Sequence, residues 1–389
     1  MYNFNLIVDR KGTSCLKWDK TEKFFGKADL LPLWVADMDF ATAPGVTEML
    51  RKRVEHGVYG YGQLSPAYYQ AVLSWMQRRH HWQIQPEWIC YTSGVVSALY
   101  FAVECLTEPG DEVMLLSPVY GPFYACIEKQ GRRIVDVPLA HDGVCGYGLD
   151  LAAMERSVSP KTKALIFCSP HNPVGRVWTR QELEQVVDFC KRHDLYIIDD
   201  EIHNDLVYER ESFTTLGRLG ADVEERSIIC TAITKTFNLA DLQVSNIIIP
   251  NAALRERFKE CLSRHHVGPH SFSEPALLGA YEHSEEWLDA LLLYIKGNID
   301  YFCQRVKKDM PLLQVRPAEG SYLLWVNCGG LGFSDQELRR FFVEECGLAV
   351  NAGTDFGARW GQFVRFNMAC PRSYVQEALD RLEAAISRL

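Results

Sequence analysis

Between about residues 85 and 250, short apolar runs alternate with amphipathic stretches. "DEVMLLSP" (111–118), "KALIFCSP" (163–170), "LYIIDDE" (195–201) and "SIICTAI" (227–233) are short, apolar and closed by polar or turn residues. Each predicts a buried strand. "SALYFAVECL" (97–106) and "TRQELEQVVDFCKRHD" (179–194) predict helices, the second opened by Thr179 and Glu182 at capping-box spacing. Strands alternating with helices imply βαβ units and a mostly parallel sheet covered on both faces. Ligands of such sheets bind beyond the carboxyl ends of the strands, so the residues just after each apolar run carry the interest.

The pattern changes after about residue 285. A long helical stretch, "EEWLDALLLYIKGNIDYFCQRVKKDM", leads to a strand-like "GSYLLWVNC" (320–328). A second capping box follows, Ser334 with Glu337, and the chain closes with the strand "FVRFNMAC" (363–370) and the helix "SYVQEALDRLEAAISRL". The expectation is a second, smaller α/β domain, with no internal repeat and no disordered linker.

Composition narrows the function classes. The chain has 389 residues, 47% of them hydrophobic and 23% charged, which is too long for one core and predicts two domains. A formal net charge of −9 with only short basic clusters, such as "RKR" at 51–53, argues against nucleic acid or an anionic membrane as partner. No apolar run approaches the ~20 residues that span a bilayer. The first residues lack the layout of a signal peptide, so a cytoplasmic location is expected. The 13 cysteines are scattered without a C-x-x-C pair and read as reduced thiols. "RHHVGPH" (264–270) has no Cys, Asp or Glu set at a familiar ligand spacing, so no metal site is expected.

The strand ends carry a pattern. Thr92-Ser93-Gly94 opens a helix, and free N–H groups there suit a phosphate. Tyr120 follows "MLLSPV", where packing alone would explain it. Asn172-Pro173 fixes a turn with an amide toward the crevice. Asp199, Asp200, Glu201 and then His203 follow "LYII"; a carboxylate at a buried strand end needs a cationic or N–H partner. Lys235, between Thr234 and Thr236, follows "SIICTAI". Together these suit pyridoxal phosphate. That cofactor needs a lysine to hold its aldehyde, a carboxylate on its pyridine nitrogen, a phosphate cradle and a ring to stack on. With no acid beside it in the sequence, Lys235 escapes a salt bridge that would hold it cationic.

"SPHNPVGRVWTRQEL", "IIDDEIHNDLVY", "TAITKTFNLADLQ" and "FVRFNMACPR" resemble the motifs of fold-type I pyridoxal phosphate enzymes of the class I/II aminotransferase superfamily. "LPLWVADMDF" (31–40) and "YGYG" (59–62) narrow the resemblance to the cystathionine β-lyase branch of the MalY/PatB type, the C–S β-lyases. The resemblance runs over nearly the whole chain. It implies an aspartate aminotransferase-like α/β fold, a large domain with a mostly parallel sheet plus a smaller C-terminal α/β domain. The expected division is an N-terminal segment 1–47 packing with the small domain, a cofactor-binding domain 48–285 and a small domain 286–389.

The resemblance further implies the roles. Lys235 holds the cofactor, Asp200 pairs with its pyridine nitrogen, and Asn172 and His203 lie near its phenolic oxygen. Tyr120 stacks on the ring. Gly94, Val95 and Thr234 bind the phosphate. Tyr61 reaches across the interface of a homodimer to the partner's phosphate and substrate, and Arg365 grips the substrate carboxylate. Trp34 and Tyr61 shape the substrate pocket, with a core or interface role equally open for Trp34. Three departures stand out: Thr234 where serine is usual, Asp241 where glycine is usual, and Gln243 where many aminotransferases of this fold place an arginine. Asp241 puts the local turn and phosphate binding in doubt.

The implied reaction is α,β-elimination from a sulfur amino acid, cystathionine giving homocysteine, pyruvate and ammonia. Cysteine or other S-substituted cysteines are alternative substrates. Two other readings stay open: an aminotransferase, and a lyase fold with an added regulatory role in binding another protein.

Overall fold

The computed structural model describes residues 2–389. Seven strands form the central sheet: β1 (Ile89–Ser93), β2 (Glu112–Ser117), β3 (Arg133–Pro138), β4 (Thr162–Cys168), β5 (Tyr196–Asp200), β6 (Ser227–Ala232) and β7 (Val244–Ile248). Their spatial order is β1-β7-β6-β5-β4-β2-β3. Neighbours from β6 through β3 run parallel, while β7 is antiparallel to both β6 and β1. Six strands therefore end on one edge of the sheet, and β7 begins there.

Alternate residues of each strand enter two apolar layers. Met114, Leu116, Leu165, Phe167, Ile197 and Ile229 join one core. Val113, Leu115, Ile166, Ile198, Ile228 and Ile247 join the other. With both faces covered, the strands read as continuous apolar runs, which is why four of them were visible in the sequence. The edge strand β3 keeps Arg133 and Asp136 exposed and carries a weaker signal. Both capping boxes form as expected, at Thr179 ahead of helix Arg180–Arg192 and at Ser334 ahead of helix Asp335–Arg340.

Helix Glu285–Asp309, of 25 residues, leads to a four-stranded antiparallel sheet. Its order is Gln314–Val315, Leu323–Asn327, Phe363–Asn367, Asn351–Ala352. The N-terminal stretch joins this part of the molecule, with Leu31–Pro32 pairing in parallel with Leu348–Ala349. The loop that follows, residues 33–40, lies between the two sheets. Asn238 donates to the carbonyls of Met38 and Phe40, and Asn367 donates to those of Val35 and Asp37. Asp39, 2% exposed, is held by Lys17 Nζ at 2.6 Å, Arg10 at 2.7 Å and Trp18 Nε1 at 2.8 Å. That satisfies a carboxylate that would otherwise be costly to bury.

Helices Pro44–His56 and Ser273–His283 approach closely through Gly45 and Gly279. A Cβ on Gly279 would stand 2.6 Å from Val46 Cα and 2.8 Å from the Gly45 carbonyl oxygen, backbone atoms that have no room to give. We expect Gly279→Ala to destabilise the protein by about 1–3 kcal/mol through this overpacking. The check is the urea unfolding midpoint, with Gly268→Ala as control, since a Cβ there meets nothing within 4 Å. An unchanged midpoint in Gly279→Ala would show that the helices can separate freely.

Candidate active site

The strand ends open into a cavity of about 260 Å³ lined by residues from β1, β4, β5, β6 and the loops after them. Gly94, Val95, Tyr120, Asn172, Asp200, His203, Thr234 and Lys235 all line it. Gln243 lines it too, because β7 runs opposite to its neighbours and starts at the edge where they finish. A larger cavity, about 500 Å³, lies by Arg176 and Arg316, but both arginines are paired there, with Glu182, Glu319 and Asp142.

Helix Val95–Leu106 points its first turn into the cavity. Its N-cap is Gly94, at φ 93°, a conformation that favours glycine, and Gly94 offers no capping side chain. The first N–H groups of the helix lack intrahelical partners and stay open to an anion. Ser93, Val96 and Ser97 line the same end.

Strand alternation decides which acid reaches the cavity. Asp200 is 4% exposed and takes the N–H of Ile202 at 3.1 Å. Burial raises its pKa to about 7, against the pull of the Ile202 N–H and of Lys235. Asp199 points to the opposite face, is wholly buried, and neither of its oxygens has a hydrogen-bond partner. Burial, then the neighbouring Glu201, push its pKa far up. Glu201 accepts the N–H of Leu216 at 2.8 Å.

Lys235 follows β6 in a single helical turn, Ile233–Thr236. Its Nζ donates to the carbonyl of Ala36 at 2.6 Å, and Tyr322 Oη donates to the same carbonyl at 2.9 Å. Burial, then repulsion from Arg365, lower the Lys235 pKa to about 8, while Asp37 and Asp200 work in the other direction. His203 is buried beside the same two cations, and burial first, then Lys235 and Arg365, bring it down to about 3. Its Nδ1 has no partner.

Arg365 stands 4% exposed on strand Phe363–Asn367. It donates to Asn172 Oδ1 at 3.1 Å, to the Trp34 carbonyl at 3.1 Å and to Asn351 Oδ1 at 2.8 Å. Its guanidinium lies 4.7 Å from the ring centre of Phe356. Every acceptor is neutral, Nε has none, and burial brings the pKa down to about 10.

Two expected residues stand elsewhere. The Trp34 ring does not line the cavity: it packs on Phe24 and Phe25, with centroids 5.1 and 5.2 Å away, and its Nε1 donates to the Lys17 carbonyl at 3.0 Å. Apolar partners and an acceptor on the N-terminal side draw the ring away, so Trp34 meets the site only through its carbonyl. Tyr61 is fully exposed and outside the cavity lining of its own chain. Asp241 is exposed and also off the lining; the left-handed residues of this turn are Asn238 and Gln243, so the turn does not need glycine at 241. Ala36, Tyr322 and Asn351 were missed by sequence reasoning. Ala36 sits inside the quoted "LPLWVADMDF", but nothing in a side chain announces a main-chain acceptor.

The residues fit pyridoxal phosphate on structural grounds. An uncapped helix N-terminus, a lysine with a lowered pKa, a buried carboxylate and an unpartnered histidine nitrogen surround one cavity.

Comparison with known proteins agrees. Residues 29–382 match the family model described as aminotransferase class I and II. The chain belongs to this family. It is 39% identical to cystathionine beta-lyase PatB of Bacillus subtilis, over 99% of this chain and 100% of that protein. It is 32% identical to protein MalY of Escherichia coli, over 99% of each. The crystal structure of cystalysin from Treponema denticola, which contains a pyridoxal 5'-phosphate cofactor, superposes with a TM-score of 0.94 at 35% identity, covering 100% of this chain and 99% of that one.

The Lys235 amine yields a pH prediction. Its folded pKa of about 8 lies below the ordinary 10.5, so the folded state binds fewer protons between these values. Stability from this group therefore rises with pH across that window and is lowest below it. In cofactor-free protein we expect Lys235 to react with an amine-directed acylating reagent with a midpoint near pH 8. Arg365→Leu removes the repelling cation and shifts that midpoint upward. A midpoint at the ordinary lysine value in the parent protein would contradict this account.

Proposed function

We propose that this chain is a pyridoxal phosphate-dependent C–S β-lyase that cleaves sulfur amino acids by α,β-elimination. The observation that carries the reading is full-length identity to PatB, a cystathionine beta-lyase by name, joined to a cavity lined by the expected cofactor residues. Cystathionine is the proposed substrate, giving homocysteine, pyruvate and ammonia.

The bound cofactor supplies a protonated ring that takes up the electrons left when the substrate loses its Cα proton. The chain's own residues do the rest. Lys235 holds the cofactor aldehyde and, once a substrate amine has displaced it, takes the Cα proton. Its lowered pKa suits it to that work near neutral pH. Asp200 would hold a proton on the ring nitrogen of the bound cofactor, as a carboxylate paired with that cation. Asn172 and His203 serve the phenolic oxygen, and Tyr120 covers the ring. The N–H groups after Gly94, with Thr234, hold the phosphate. Gln243 adds no charge there, so binding rests on the helix terminus.

Arg365 orients the substrate by its α-carboxylate. Asn172, which accepts from Arg365 at 3.1 Å, links carboxylate binding to the cofactor ring. The active unit in this reading is a homodimer. Exposed Val54, Val58, Tyr59 and Tyr61 lie together along the chain and support a surface that a second copy covers, with Tyr61 entering the partner's site. No helix among the described residues is long and apolar enough to cross a membrane.

Purified protein given L-cystathionine with no keto acid present is expected to release pyruvate. Lys235→Ala is expected to lose about 10²–10⁴-fold in turnover, the contribution typical of positioned proton transfer. Conversion of the cofactor to its amine form without pyruvate would instead indicate transamination. In Arg365→Leu, the substrate KM is expected to rise at least about tenfold, for loss of a charge-assisted bidentate contact. An unchanged KM would remove Arg365 from carboxylate binding.

A further inference from the structure

The histidine run at 264–270 finds its partners only in the folded chain. His265 Nε2 lies 2.9 Å from Glu104 Oε2, and Arg264 lies 3.0 Å from Oε1 of the same carboxylate. Cys261 precedes His265 by four residues at the end of helix Ala252–Arg264, a spacing that puts both on one face. Glu104 comes from helix Val95–Leu106, which packs against that helix. The Cys261 sulfur, a His265 ring nitrogen and a Glu104 oxygen all lie within 4.8 Å of one another.

Thiolate, imidazole and carboxylate together suit a borderline-soft cation, whereas calcium and magnesium prefer oxygen alone. Bonds of about 2.0–2.3 Å around tetrahedral zinc put donor atoms roughly 3.3–3.7 Å apart, so the His265–Glu104 pair at 2.9 Å opens slightly and the sulfur draws in by no more than about 1.5 Å. The charges balance: one thiolate and one carboxylate offset a dication, with a neutral imidazole. Arg264, whose side chain is 64% exposed, can leave Glu104 for water. Glu104 also sits in the last turn of its helix, where the backbone dipole favours a cation. The first turn of that same helix faces the phosphate end of the cavity, so the two ends would hold charges of opposite sign.

We propose that Glu104, Cys261 and His265 form a zinc-type divalent cation site tying these two helices together, with water in the fourth position. His265 is exposed and Glu104 half-exposed, which leaves an entry path.

The test is titration of tag-free holoenzyme with Co(II) as probe, read by difference absorbance. One equivalent per chain with a thiolate-to-cobalt charge-transfer band is expected. Cys261→Ser should abolish the band, and His265→Ala or Glu104→Gln should weaken binding at least about tenfold. Cys261 is buried and His265 exposed, so His265→Ala provides a check independent of core packing. Zinc should raise the thermal midpoint of the parent protein and leave that of His265→Ala unmoved. Absence of the band, or a band that survives in both Cys261→Ser and His265→Ala, overturns the proposal.

Discussion

The amine that serves as base in the proposed reaction is held in this protein by a neutral acceptor. Lys235 Nζ donates to the Ala36 carbonyl at 2.6 Å, and a carboxylate in that place would keep it an ammonium. The surrounding architecture is what delivers that carbonyl. Loop 33–40 is stitched to the large sheet by Asn238 and to the small one by Asn367. Tyr322 adds a hydroxyl on Ala36 itself. The two acids of the loop are neutralised away from the amine, Asp39 by Lys17 and Arg10, and Asp37 by Arg10 at 2.6 Å. The N-terminal segment thus allows an acidic loop to pass beside a lysine without ion-pairing it.

The same economy of charge governs Arg365. Its acceptors are two side-chain amides and a main-chain carbonyl, so the guanidinium is oriented but not neutralised. In the proposed reaction an arriving carboxylate would meet a cation in a low-dielectric setting, where the attraction is far stronger than in water. The repulsion between Arg365 and Lys235 helps lower the pKa of the lysine. A substrate carboxylate bound at Arg365 relaxes part of that repulsion, so in the proposed reaction the base is poised before binding and retuned by it.

Much of this was legible in the sequence because it follows from strand ends. β4, β5 and β6 are closed by Asn172, Asp200 and Lys235, and parallel strands bring their carboxyl ends to one edge. Both capping boxes were readable because their hydrogen bonds are local. What escaped was set by long-range geometry. A main-chain acceptor such as Ala36 has no side-chain signature, and Asn351 reaches Arg365 only through antiparallel pairing of their strands. The Trp34 ring was free on sequence grounds to face either way; Phe24 and Phe25, on a segment that carried no motif, decide it. Asp241 looked disruptive only because glycine was expected there, while the turn places its left-handed residues at 238 and 243.

The acids under the sheet complete the electrostatic argument. Asp199 and Glu201 flank Asp200 in the chain, yet alternation sends Asp199 to the opposite face, fully buried. Were both flanking acids ionised, their charge would add to the burial that already raises Asp200 to about 7. Burial first, then the neighbouring Glu201, disfavour the Asp199 anion. Burial raises Glu201 as well, with the Leu216 N–H pulling the other way. In the proposed reaction Asp200 would meet a cationic ring nitrogen as a carboxylate, the form that keeps the ring protonated, and that cation would offset the burial that raises Asp200.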